Sequence, residues 1–171
     1  GLKSLISNQK YDEVLPLLQK YDSEIIGSFQ ILYNTGNDLT DAILSDKQKN
    51  AGDNIKIEFE GSLANVPADN IEICVLFNNM IDIAFENVKE FCGNSKQIVT
   101  LKAETRAGFL FCCVSFPIKG EIKKAQNNVL YHSFAYKTLK NLAEKNGGKI
   151  ETNLSKNRLA ITTGWAINNI S

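Results

Sequence analysis

From Asp69 onward the residues Cys74, Phe77, Ile81, Ala84 and Val88 recur at spacings of three and four. That is the signature of a helix with one apolar stripe, and a stripe of this length has to face a core. Asp69 followed by Glu72 has the layout of a capping box, and Pro67 just upstream fits a chain bend before the helix. Asn79, Ile83 and the pair Glu86-Asn87 fall on a second face.

The remaining elements arrange themselves around this helix. Leu2, Leu5 and Ile6 read as the end of an amphipathic helix, and Asn8-Gln9-Lys10 as a polar turn. Asp12 caps a second helix, in which Pro16 is tolerated near the first turn. Its stripe is Val14, Leu17, Leu18, Tyr21, Ile25, Phe29 and Leu32. The two make a helical hairpin over residues 1–33, with the main domain expected over 34–171. After the turn Asn34-Thr35-Gly36-Asn37 comes a third helix with Leu39, Ala42, Ile43 and Leu44, ending near Gly52. Ile55, Ile57 and Phe59 then alternate with Lys56, Glu58 and Glu60, a half-buried strand.

Downstream of the central helix, two strands are expected over 97–104 and 108–116, separated by the turn Thr105-Arg106-Ala107-Gly108. In the second, Phe109, Phe111 and Cys113 alternate with Leu110, Cys112 and Val114, so nearly every position is apolar. Such a run fits a central strand covered on both faces, or the edge of two cores. Residues 118–131 are polar. His132 to Lys145 forms a helix with Ala135, Leu139, Leu142 and Ala143 inward, stopped by Asn146-Gly147-Gly148. A hairpin of 149–152 and 158–163 around a loop at 153–157 follows, with Trp165-Ala166-Ile167 extending its second strand. This order predicts an α+β fold: a two-layer α/β sandwich in which a mixed sheet carries helices on one face.

Composition narrows the functions. Nineteen basic and nineteen acidic residues cancel, so no global field recruits nucleic acid or an anionic membrane. The four cysteines form no disulfide framework, since Cys74 belongs to the apolar stripe and the adjacent Cys112 and Cys113 point to opposite faces of a strand. One histidine, His132, and no Cys-x-x-Cys argue against a zinc site. A reducing, cytoplasmic setting is expected. There is no signal peptide and no apolar run long enough to span a bilayer. The chain opens Gly1-Leu2-Lys3 without methionine and already in a helical pattern, as expected of a segment of a longer protein.

The second face of the central helix carries a resemblance. Phe77-Asn78-Asn79-Met80-Ile81-Asp82-Ile83-Ala84-Phe85-Glu86 resembles the N box of sensor histidine kinases in the GHKL ATPase superfamily. It is most similar to the branch that includes the Gram-positive peptide-quorum receptors, whose helix reads Asn-Leu-Leu-Asp-Asn-Ala-Ile-Glu-Ala. Thr35-Gly36-Asn37 with Asp41-Ala42-Ile43-Leu44 resembles the opening of the ATPase domain in the same branch. The resemblance extends over residues 35–163 and to the hairpin before them. In these kinases that hairpin dimerises and carries the phospho-accepting histidine on its first helix, and here that helix holds none. The segment 118–131 takes the position of the nucleotide lid.

The resemblance implies three nucleotide-contacting boxes. In the first, Asn79 and Asp82 match, but Ile83 stands where the family has the asparagine that holds the Mg²⁺ bridging the ATP phosphates. A hydrocarbon side chain cannot ligate a hard cation. In the second, Val114-Ser115-Phe116-Pro117 puts Phe116 where the branch has an asparagine. The third opens the last helix, His-Gly-Ile-Gly-Leu in the kinases, and reads His132-Ser133-Phe134-Ala135-Tyr136 here. Glycines there let backbone N–H groups approach phosphates, and side chains on Ser133 and Ala135 crowd that approach. Hydrogen bonds to charged groups contribute roughly 1.5–3 kcal/mol each, against about 8 kcal/mol for a whole micromolar ligand. Losing three such contacts removes most of that affinity.

The expectation is therefore a pseudokinase-like domain with vestigial positions Asn79, Asp82, Ile83, Phe116, His132, Ser133 and Ala135. It would hold no catalytic residue, no metal ligand and no cofactor. Its partners would be a second copy through the N-terminal helices and a kinase or response regulator, in the cytoplasm or on the cytoplasmic side of a membrane-bound sensor. The alternative is a functioning ATP- and Mg²⁺-binding catalytic domain that phosphorylates a histidine upstream of Gly1. A third reading is a nucleotide-independent binding module of the anti-sigma-factor kind. Without the resemblance, Asn79 and Asp82 read as solvated positions of a polar helix face, His132 as a helix start, Cys112-Cys113 as core, and the Lys119 to Lys124 run as a solvated loop.

Overall fold

The computed structural model describes residues 31–92, 94–118 and 132–167. The expected helical hairpin, apart from its last residues, and the polar segment after Ile118 lie outside the described residues.

Helix α1 (Asp38–Ala51) starts at Asn37, whose side chain accepts the Thr40 amide, and ends at Gly52 in a positive-φ conformation. Strand β1 (Ile55–Gly61) leads to the long helix α2 (Asn70–Cys92). Then come β2 (Gln97–Arg106), β3 (Phe109–Pro117), α3 (Phe134–Lys145), β4 (Lys149–Ser155) and β5 (Arg158–Ala166). The order of helices and strands is the expected one. One five-stranded sheet results, in the order β1-β2-β3-β5-β4. β1 and β2 run parallel, with Ile57 opposite Val99, and the other neighbours are antiparallel. A parallel pair needs a long crossover, and α2 supplies it.

The stripe read from the sequence is the core of α2: Cys74, Phe77, Ile81, Ala84 and Val88 are all buried. They meet one face of the sheet, built from Val99 and Leu101 of β2, Leu110, Cys112, Val114 and Phe116 of β3, and Leu159, Ile161 and Trp165 of β5. Phe77 packs edge-on against Phe59 of β1, with centroids 5.9 Å apart.

Three expectations are corrected. β3 is central, but the described elements cover it on one face only: Phe109 is 39 % exposed, and Phe111, Cys113 and Ser115 are half-buried on the other side. The Arg106 guanidinium lies 5.5 Å from the Phe111 ring centre and partly screens that apolar surface. The last hairpin has no five-residue loop. It turns at Lys156-Asn157 alone, both with positive φ, and Asn153 and Ser155 are outward-facing positions of an edge strand. The capping box is half formed. Asp69 Oδ1 accepts the amides of Ile71 (2.8 Å) and Glu72 (3.0 Å), while the Glu72 carboxylate takes Lys145 and the Asn146 amide of the α3 terminus. The N-terminal end of α2 is thereby tied to the C-terminal end of α3.

Candidate functional site

The three sequence boxes stand on α2, the end of β3 and the start of α3, and α2 packs against both of the others. On α2, Asn79 is 2 % exposed and Ile83 fully buried. The solvated alternative for Asn79 is thus corrected. A polar side chain survives burial there because its Nδ2 donates to the Val75 carbonyl one turn back, at 2.7 Å. Two turns further on, Asn87 does the same to the Ile83 carbonyl at 2.6 Å. Its Oδ1 is buried without a partner.

Asp82 faces α1. Its carboxylate receives the Lys47 ammonium at 2.6 Å and the Asn78 amide at 3.3 Å. Both members of the ion pair are largely buried. Sequence reasoning assigned no role to Lys47, Asn78 or Asn87. Spacing along α2 places Asn78 and Asn87, but no local pattern announces that a lysine on another helix closes over Asp82.

Phe116 is fully buried in the common core, opposite Leu159 of β5. His132 is exposed in the turn before α3. Ser133 is the N-cap of α3, its hydroxyl accepting the Tyr136 amide at 3.0 Å. One N–H at this helix start is therefore taken by the helix's own cap. Ala135 is partly buried against the core.

Chemically, Ile83 offers no ligand to a hard cation, and the charge of Asp82 is already met by an ammonium. Among the described residues no group of three or more His, Cys, Asp or Glu side chains converges as a metal site. The Cys74 thiol is pushed up to about 12 by burial, and the Cys112 thiol is pushed up by burial and by neighbouring Cys113. Neither is a thiolate nucleophile at neutral pH. No helix among the described residues is long and apolar enough to cross a membrane.

No protein-family model matches the sequence, and no curated protein matches it either. Solved structures do match. The catalytic domain of histidine kinase ThkA superposes with a TM-score of 0.60 at 15% identity, covering 77% of this chain and 92% of that one. A histidine kinase from Burkholderia phymatum gives 0.59 at 15% identity, covering 98% and 91%. A blue-light activated histidine kinase from Erythrobacter litoralis gives 0.67 at 17% identity, covering 92% of this chain and 48% of that one. The fold is thus that of histidine kinase ATPase domains, as the sequence led one to expect.

Proposed function

We propose that the chain is a pseudokinase-like ATPase-type domain of a sensor histidine kinase, in the branch of the Gram-positive quorum receptors, that works through protein contacts rather than nucleotide chemistry. The observation that supports this most is the state of Ile83: a hydrocarbon side chain, fully buried, at the position matching the metal-binding asparagine of the N box. Two neighbours lean the same way. Asn79 Nδ2 is tied to its own helix, and Phe116 is locked in the core. The residues present do not fit Mg²⁺-ATP, so no phosphotransfer step is assigned to them.

On this reading the domain acts in the cytoplasm, pairs with a second copy through the segment before residue 34, and regulates a kinase or response regulator. Calorimetric titration of the purified protein with a non-hydrolysable ATP analogue and Mg²⁺ tests it. No saturable heat is expected up to millimolar ligand, on the order of 4 kcal/mol of binding free energy. Saturable micromolar binding would overturn the proposal in favour of a functioning ATP-binding catalytic domain.

A further inference from the structure

The outer edge of β1 is closed by side chains, and the closure involves the stretch through which the described chain enters the domain. β1 bonds to β2 through one set of backbone groups, beginning with the Gln97 amide on the Asn54 carbonyl. Ile55 and Ile57 turn theirs to the other edge. There the Gln48 side-chain amide of α1 donates Nε2 to the Ile55 carbonyl at 2.9 Å and accepts the Ile57 amide on Oε1 at 2.7 Å. A carbonyl at one residue and an amide two residues on are the two groups a residue of a neighbouring parallel strand would bond. One glutamine amide imitates a sixth strand.

Tyr33 completes the imitation. Its hydroxyl lies 3.0 Å from the Ile57 carbonyl and 3.2 Å from Gln48 Oε1, and its proton serves these two acceptors. The surrounding residues are stitched down as well. The Leu32 amide donates to Ser45 Oγ at 3.0 Å, the Thr35 amide to Asp41 Oδ1 at 2.7 Å, and the Leu63 amide to the Thr35 carbonyl at 2.7 Å. Ile31 and Leu32 themselves stay exposed. Burial and the nearby Glu58 carboxylate push the Tyr33 phenol up to about 12, so it remains a donor throughout the physiological range.

We propose that Tyr33 and Gln48 form a latch by which residues 31–35 hold the β1 edge closed, so that strap and edge open and close together. The device stands on these hydrogen bonds and does not depend on whether the domain binds nucleotide. It also has a route to the candidate site. Gln48 directly follows Lys47, whose ammonium holds Asp82 on α2, so a movement of α1 at the latch is a movement beside that face.

Amide hydrogen exchange on the whole chain, resolved to single residues, tests the coupling. In Tyr33→Phe, exchange at Ile57 rises by roughly fivefold, the effect of losing about one ordinary hydrogen bond, although Gln48 Oε1 is still present to accept that amide. Exchange at Leu32 rises with it. In Ser45→Ala, which removes the acceptor of the Leu32 amide and a hydroxyl whose own proton goes to the Asp41 carbonyl of α1, exchange at Ile57 rises too, because a coupling between two places is reciprocal. Val114 in β3, a strand that does not border β1, keeps its wild-type rate in both variants. The latch is overturned if Ser45→Ala changes Leu32 alone, or if Tyr33→Phe leaves Ile57 at its wild-type rate. A parallel rise at Val114 also overturns it, since that reports general loosening instead of a local device.

Discussion

Ala107 sits in the left-handed region, φ 51, at the first position of the β2–β3 turn, with Gly108 at φ 78 behind it. Both central residues of such a turn need positive φ, which costs an alanine about 1 kcal/mol and suits asparagine. Ala107→Asn is expected to stabilise the domain by about 0.5–1 kcal/mol, read as a higher midpoint of urea unfolding at unchanged slope. At the same scale, what position 83 can do chemically was legible in the sequence: an isoleucine side chain has no lone pair to give in any fold. The burial of Asn79 was not legible. A helical wheel sorts residues by polarity, and Asn79 escapes that sorting by bonding back to Val75 on its own helix.

Between elements, the clearest specific tie is the ion pair from α1 to α2. Lys47 and Asp82 have side chains only 11% and 13% exposed, so removing one partner leaves the other charge poorly solvated. Lys47→Ala is expected to cost about 3 kcal/mol, and the double variant Lys47→Met with Asp82→Leu to recover much of that loss. Thermal or chemical unfolding of Lys47→Met, Asp82→Leu and the double variant decides it, and an additive double variant would mean the pair contributes no coupling. The sequence conveyed the order of the elements because apolar spacing switches cleanly between three-to-four and two. It did not convey the extent of β4. Asn153, Leu154 and Ser155 belong to an edge strand whose alternate residues face water, and in composition such a strand looks like a loop.

For the molecule as a whole, three groups in its packed parts make stability sensitive to alkali. The Cys74 thiol is raised from 9.0 to about 12 by burial, the Tyr33 phenol from 10.0 to about 12 by burial and Glu58, and the Cys112 thiol is pushed up by burial and by Cys113. The neutral forms are favoured when folded, so the unfolded chain releases these protons first. The stabilisation is complete below about pH 9 and is lost as pH climbs towards 12, with a slope of up to about 1.4 kcal/mol per pH unit from each thiol. Urea midpoints at pH 8 and pH 10 should differ accordingly, and Cys74→Ala should shrink the difference without abolishing it, since Cys112 still contributes. The two-layer architecture itself was readable, since the stripe on α2 demanded a surface to cover and the alternating segments could supply only a sheet. The two borders of that sheet are defended by different physics. β4 exposes Lys149 and Glu151, paired with each other, on its outer strand, and charges of this kind deter edge-to-edge aggregation less as salt screens them. β1 is shut by the uncharged amide of Gln48, which salt does not screen, so in concentrated salt the molecule is left with one sticky border and one that stays inert.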